Sequence, residues 1–362
     1  MMDNLDEGVR TMRLRGDGAR WVVVCVMCVG LCGCPKEQPS TPGTGPTGTA
    51  APATGDAGGA KTVKIAVIPK GTAHSYWLAV KAGADAAARD LNAPGRAEKI
   101  EIDWDGPANE TDITGQINLV QTKVTGGING IVLAATNQEA LIPPVKDAIA
   151  KGVPVVTVDS GLKQDSDPSY CYIATDNVQG GRLAADALAK EMGQKGKVGV
   201  LGFLKGAASN DDRVNGFMEG IKKYPGITVV TTLYDDSDAA KALDQSTNML
   251  TAAPDITGIF AANEPGGVGA GNYLKQRGLI GKVKLVAYDT SDDEIKDLQA
   301  GIIQALIVQD PFQMGYKGVQ QVLNAIHHQA APTPKFIDSG VEVVTKENFQ
   351  TPKVQKLLNP PS

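Results

Sequence analysis

Asp159, Asn263, Asp289 and Gln309 occupy equivalent places in the chain. Each is a polar residue at the end of a short apolar run: VPVVTVD (153–159), ITGIFAAN (256–263), VKLVAYD (283–289) and IQALIVQD (303–310). A fifth run, KIAVIP (64–69), exits into KGTAHSYW (70–77), which carries His74 and the Tyr76–Trp77 pair. Taken singly, an Asp or Asn in such a place serves as a cap for the helix that follows. Taken together, two carboxylates, two amides, an imidazole and two aromatic rings suit a neutral polyhydroxylated molecule. Carboxylates accept hydrogen bonds from pairs of hydroxyls, amides both donate and accept, and flat rings cover the C–H side of a sugar. Such a site also discriminates, because a ligand lacking a matching hydroxyl leaves a buried group unpaired.

These residues reach one place only if the runs that carry them are strands of open sheets. The runs KIEIDW (99–104), GIVLAA (130–135), KVGVLGF (197–203) and ITVVTTLYD (227–235) complete the series. Most are β-branched, nearly continuous in hydrophobicity and too short for buried helices, which marks interior parallel strands. Between them, segments such as Ser75–Leu91 and Asn177–Met192 repeat apolar residues at helical spacing, with Gly193 as a stop. Alternating βαβα predicts an α/β fold with helices on both faces of parallel sheets, and ligands of such sheets bind beyond the carboxyl ends of the strands. The alternation falls into two sets divided near YCYIATDN (170–177), hence two doubly wound lobes.

The N-terminal region reads differently. Four of the five cysteines lie in CVMCVGLCGC (25–34), at the end of the apolar run WVVVCVMCVGL and after Arg10, Arg13, Arg15 and Arg20. A charged stretch, an apolar stretch and a small-residue exit make a secretory signal over residues 1–33. The run is shorter than the roughly 20 residues a membrane span requires. Leu31-Cys32-Gly33-Cys34 resembles a bacterial lipobox, which implies cleavage before Cys34, its lipidation and a membrane anchor. Cys171 is then the one thiol left free, expected as a small buried hydrophobe. Residues 34–61, rich in Pro, Gly, Thr and Ala, read as a disordered tether. Lys and Arg total 35 against 40 Asp and Glu, a net charge of −5 with no basic tract, so nucleic acid is not an expected partner.

Signatures of catalysis are missing from the sequence: no G-x-S-x-G elbow, no Walker A loop, no H-E-x-x-H. GGVGAG (266–271) lacks dinucleotide-binding spacing and reads as a helix start and packing feature. Asp159 and Asp289 as an acid–base pair on a glycoside is the one enzymatic alternative, without a third element to support it. No cofactor and no metal site are expected; His327-His328 reads as a helix C-terminal turn, and Asn109-Glu110-Thr111 as a chance sequon.

The body also resembles the periplasmic sugar-binding proteins of the ribose-binding type, the type I periplasmic binding proteins that serve ABC transporters. The likeness is carried by IPKGTAHSYWLAVKAGADAAA (68–88), GVPVVTVDSG (152–161), IATDNVQGGRLAAD (173–186), RVNGFMEGI (213–221), IFAANE (259–264), AYDTS (287–291) and VQDPFQMGYKGV (308–319). It implies ligand-binding roles for His74, Tyr76, Trp77, Asp159, Arg213, Asn263, Asp289 and Gln309. Tyr76 and Trp77 would sandwich the ring, Asp159 and Asp289 bind hydroxyls, and Arg213 reach ring and hydroxyl oxygens. Three departures stand out: His74 and Ser237 replace an asparagine and an aromatic, and Ser160 stands in place of a second arginine. The resemblance further implies three crossings between lobes. The N-terminal lobe would hold 62–175 and 310–338, the C-terminal lobe 176–309 and 339–352, and 353–362 would be a tail. The expected function is capture of a monosaccharide or polyol by a monomer that closes about its hinge and hands the ligand to a transporter permease. A sensory protein reporting to a membrane receptor is the neighbouring alternative. A sugar-responsive transcription regulator is disfavoured, because the export signal stands where a DNA-binding motif belongs.

Overall fold

Short β-branched runs buried on both faces alternate with amphipathic helices through residues 61–72 and 74–359, the part of the chain that the computed structural model describes. The leader, Cys34 and the tether up to Ala60 lie outside these residues, as does the end of the chain from Pro360. The first set is β1 (Lys61–Ile68), α1 (Ser75–Leu91), β2 (Glu98–Trp104), α2 (Ile113–Thr125), β3 (Gly130–Leu133), α3 (Ile142–Ala150), β4 (Val155–Val158) and β5 (Tyr172–Ala174). The second begins with α4 (Asn177–Glu191), β6 (Lys195–Gly202), α5 (Ala208–Gly220), β7 (Gly226–Tyr234) and α6 (Ala239–Ala252). It continues with β8 (Ile256–Ala261), α7 (Glu264–Arg277), β9 (Lys284–Tyr288), α8 (Asp292–Ala300) and β10 (Ala305–Val308). Last come α9 (Pro311–Ile326), β11 (Phe336–Asp338), β12 (Glu342–Thr345) and α10 (Pro352–Leu358).

Two six-stranded sheets result, ordered β11-β5-β4-β3-β1-β2 and β12-β10-β9-β8-β6-β7. All neighbours run parallel except β12, which is antiparallel to β10. Each sheet is covered on both faces. In the first lobe, one core joins the sheet to α1 and α9 and another joins it to α2 and α3. In the second, α4 and α5 cover one face, and α7, α8 and α10 help cover the other. This is the doubly wound arrangement the alternation predicts.

Two helix pairs touch backbone to backbone. A Cβ at Gly83 of α1 would lie 1.9 Å from Phe312 O of α9, and one at Gly315 would lie 1.9 Å from Val80 O. The second lobe repeats the device: a Cβ at Gly181 of α4 would lie 2.2 Å from Arg213 O of α5, and one at Gly216 would lie 2.1 Å from Val178 O. Only glycine allows so close an approach.

The chain passes between the sheets three times, after β5, after β10 and between β11 and β12. Asp176 and Asp310, just past the first two crossings, cap α4 and α9 by accepting from Gln179 N and Gln313 N, each at 2.9 Å. The first and third passages are tied together: Thr175 Oγ1 donates to Gly340 O at 3.0 Å, and Ser339 N to Ala174 O at 2.9 Å.

The end of the described chain corrects one expectation. Residues from 353 are not simply a tail: α10 has Pro352 in its first turn and buries Val354 in the core of the second lobe. The short strands β5, β11 and β12 add to the nine runs read from sequence. Cys171 is fully buried beside β5, and burial pushes its thiol up to about 12. His327 ends α9 and places Nε2 2.8 Å from Glu98 Oε2.

Candidate functional site

Register brings the polar residues level. Ala261 of β8 pairs with Ala287 of β9, so Asn263 and Asp289, each two residues on, leave the second sheet together. Leu133 of β3 pairs with Ile68 of β1 and with Thr157 of β4, so Lys70 and Asp159 leave the first sheet at one level. Both aspartates adopt the left-handed backbone, Asp159 at φ 57° and Asp289 at φ 74°. That conformation is uncommon outside glycine and concentrates at functional sites.

The lobes meet around a polar centre. The first lobe contributes Lys70, His74, Tyr76, Trp77, Glu110 and Asp159; the second contributes Phe203, Arg213, Asn263, Glu264, Pro265 and Asp289. Arg213, 2% exposed, stands between the two strand-end carboxylates, 3.8 Å from Asp159 Oδ1 and 3.6 Å from Asp289 Oδ2. Those separations exceed hydrogen-bond length. Its hydrogen bonds go to its own lobe: Nε donates to Asn177 Oδ1 and an Nη to Ala262 O, each at 2.8 Å. The guanidinium also lies over the Tyr288 ring at 3.8 Å. Burial alone would lower its pKa, but Asp289, Tyr288 and Asp159 hold it above its ordinary value, so it stays charged. Asp289 is pushed up by burial and held back by Arg213 and by the bond from Gln309 Nε2 at 2.5 Å.

Asp159 accepts from the Tyr76 hydroxyl at 2.8 Å through Oδ1, while buried Oδ2 has no hydrogen-bond partner among the described residues, although Lys70 Nζ stands 3.2 Å away. Gln309 Oε1 is likewise buried and unpartnered. Unmet acceptors in a native interior ask for a donor, and a ligand hydroxyl is one.

The structure gathers seven of the sequence-predicted residues on this centre. Gln309 sits behind Asp289 and orients it. Asn263 is already engaged: Oδ1 caps α7 by accepting from Gly266 N at 3.1 Å, and Nδ2 donates to Ser237 Oγ at 3.0 Å. His74 is half-buried at the N-cap of α1 and makes no capping bond through its side chain. Tyr76 and Trp77 do not form the two parallel faces of a sandwich. Their rings meet edge to face, 5.1 Å apart at 88°. The aromatic of the opposite lobe is Phe203.

Lys70, Glu110, Phe203 and Glu264 escaped the sequence reading. Lys70 is 3% exposed, donates to Ser209 Oγ of the other lobe at 3.1 Å and lies 4.8 Å from the Phe203 ring centre. Its position two residues past β1 obeys the same strand-end rule as Asp159, which is the signal that finds it. Glu110 accepts from Trp77 Nε1 at 2.9 Å. Glu264 accepts from Ser75 Oγ at 3.0 Å across the lobes, and burial pushes its carboxyl up to about 7.

Residues 65–330 match the family model described as a periplasmic binding protein domain. The D-allose-binding periplasmic protein of Escherichia coli strain K12 is 29% identical over 288 residues, covering 76% of this chain and 90% of the relative. The ribose import binding protein RbsB of the same strain is 29% identical over 256 residues, 71% of this chain and 82% of the relative. A carbohydrate transporter solute binding protein from Agrobacterium radiobacter, solved with D-arabinose, superposes with a TM-score of 0.77 at 36% identity, covering 82% of this chain and 99% of that one. An ABC transporter solute binding protein from Agrobacterium vitis, solved with D-fucose, gives 0.77 at 38% identity, covering 82% and 100%. The match spans both lobes and every residue of the polar centre, and the chain belongs to the periplasmic binding protein family.

Proposed function

We propose that this chain binds one neutral monosaccharide or related polyol between its lobes and delivers it to an ABC-type importer. One observation carries the reading: a charged arginine is held just beyond hydrogen-bond reach of two buried aspartates from opposite lobes, and one oxygen of Asp159 has an ion-pair neighbour in Lys70 but no hydrogen bond among the described residues. That arrangement offers lone pairs to hydroxyls and a guanidinium to ring oxygen. The protein acts as a carrier without chemistry of its own. Relatives solved with D-arabinose and D-fucose, and others named for D-allose and ribose, support the ligand class.

His74, Tyr76, Trp77, Asp159, Arg213, Asn263, Asp289 and Gln309 remain our site assignment, to which Lys70 is added. The lobe limits are 62–175 with 310–338, and 176–309 with 339 onward through α10. The protein works as an exported monomer tethered through lipidated Cys34, its ligand-closed form meeting a permease.

Calorimetric titration tests the reading. The chain is unfolded and refolded to strip carried ligand, then titrated with D-allose, D-ribose, D-arabinose, D-fucose and their polyols. Micromolar or tighter binding of one sugar, abolished in Asp289→Ala, is expected. Silence across the panel from a folded protein would sink the ligand class. For the anchor, Cys34→Ser should move the protein from the membrane fraction to the soluble one.

A further inference from the structure

Glu110 lies between β2 and α2, outside every apolar run, yet it is only 5% exposed. A buried carboxylate requires partners, and this one draws them from both lobes. Its Oε1 accepts from Trp77 Nε1 of α1 at 2.9 Å; its Oε2 accepts from Ser237 Oγ, which follows β7 in the other lobe, also at 2.9 Å. Lys70 Nζ lies 3.7 Å from Oε2. The serine is aimed before it meets the carboxylate. Its backbone is left-handed at φ 57°, its N–H donates to Asp235 Oδ1 at 2.9 Å, and its hydroxyl receives Asn263 Nδ2 at 3.0 Å. A hydrogen-bonded chain thus runs from an aromatic ring of one lobe through a single carboxylate to an amide of the other.

We propose that Glu110 is a positioning residue that ties the orientation of Trp77 to the meeting of the lobes. With the lobes together, both carboxylate oxygens are held from opposite sides, and the indole bonded to one of them has a single orientation. With the lobes apart, Ser237 withdraws, and the carboxylate is free to rotate toward Lys70 or water. Packing and the Glu110 bond hold the ring within its own lobe, and closure adds the second hold on the carboxylate that narrows its orientation. The consequence for affinity rests on the sugar-binding reading above; the geometric tie does not.

The test stands without a ligand. The chain with Cys25, Cys28, Cys32 and Cys34 changed to serine and carrying Ser75→Cys and Glu264→Cys is stapled across the cleft with a short bifunctional thiol reagent, which holds the lobes together, buried Cys171 being out of its reach. Its tryptophans are labelled with 15N at the indole nitrogen, and Trp77 is identified by Trp77→Phe. Adding Ser237→Ala, a change in the opposite lobe, is expected to shift and broaden the Trp77 indole resonance. Ser237→Gly, which also removes the hydroxyl but suits the left-handed backbone, should give the same shift, separating loss of the bond from backbone strain. A Trp77 resonance indifferent to Ser237→Ala in the stapled protein overturns the proposal. In the unstapled chain, with D-allose as probe, Ser237→Ala and Glu110→Gln should each weaken binding about tenfold, and the double variant no further than the stronger single. Losses that multiply instead would show two independent contacts and also overturn it. A wild-type chain that binds no sugar defeats the functional reading, while the resonance still decides the tie.

Discussion

Arg213 separates two carboxylates that would otherwise face each other across the lobes, and its own hydrogen bonds leave both of them available to a ligand. Removing it leaves Asp159 and Asp289 buried without their shared cation, a change that typically costs about 3–5 kcal/mol. Arg213→Ala is therefore expected to abolish sugar binding and lower the melting temperature. Arg213→Lys, which keeps the charge but loses the planar fork, should fold near normally and still bind at least about tenfold more weakly. Equal affinity in the lysine variant would show that charge alone suffices. Asp235 makes a different prediction. Burial pushes its carboxyl up from 3.8 to about 8, and its Oδ2 has no hydrogen-bond partner among the described residues, so folding favours the protonated form. A carboxyl with a raised folded pKa contributes stability that is complete below its ordinary range and is lost as pH rises through the folded value. Melting temperature should thus fall from pH 5 to pH 9 in the wild type and fall less in Asp235→Asn. Parallel curves for the two proteins would assign the loss to other groups.

The helix pairs make the site depend on residues that never face it. The Arg213 backbone packs against Gly181 so closely that a methyl there would sit 2.2 Å from its carbonyl oxygen. Gly83 makes the matching contact between α1 and α9, whose oxygen belongs to Phe312 and not to a charged residue of the centre. Both alanine substitutions overpack a helix interface, at a cost of about 1–3 kcal/mol each. Gly181→Ala should in addition displace Arg213 and weaken sugar binding about tenfold or more, while Gly83→Ala acts mainly on stability; matching affinity losses would remove the distinction. Such contacts lie beyond what one sequence discloses, because a glycine in GGRLAAD does not announce which helix it meets. What was legible followed from period: nine strand runs, the principal helices and the polar residues ending Asp159, Asn263 and Asp289. Lys70 obeys the same rule, but in that segment the imidazole of His74 and the Tyr76–Trp77 pair are the more distinctive residue types. Glu110 sits in an irregular turn, where no periodicity marks a residue as buried. The strands β5, β11 and β12 are three or four residues long, too short to show alternation, although the first and last two flank crossings between the lobes.

Closure of the molecule brings Glu264 under a titration that the separated lobes would not impose. Its Oε2 accepts from Ser75 Oγ at 3.0 Å and from Tyr76 N at 3.4 Å, so a carboxylate of α7 rests on the first turn of α1 in the other lobe. Burial is the main force raising its carboxyl to about 7, with Asp289 and Glu110 adding to it and the two hydrogen bonds opposing. With the lobes apart that burial is relieved, and the group returns toward its ordinary value of 4.5. The closed form then binds the proton more tightly than the open form. By linkage, closure is favoured fully below the open-state pKa and loses that advantage as pH rises through the closed-state value near 7. Sugar binding, which requires closure, should take up a fraction of a proton near neutrality and weaken from pH 5 to pH 8 by less than tenfold per pH unit. Titrations in buffers of different ionisation heat measure that uptake directly. Glu264→Gln keeps an acceptor for Ser75 and Tyr76 but has no proton to exchange, so it should bind with a flatter pH profile and less proton uptake. If the slope and the uptake survive in Glu264→Gln, the proton is taken up elsewhere, and Asp289, buried in the same centre, becomes the group to replace next.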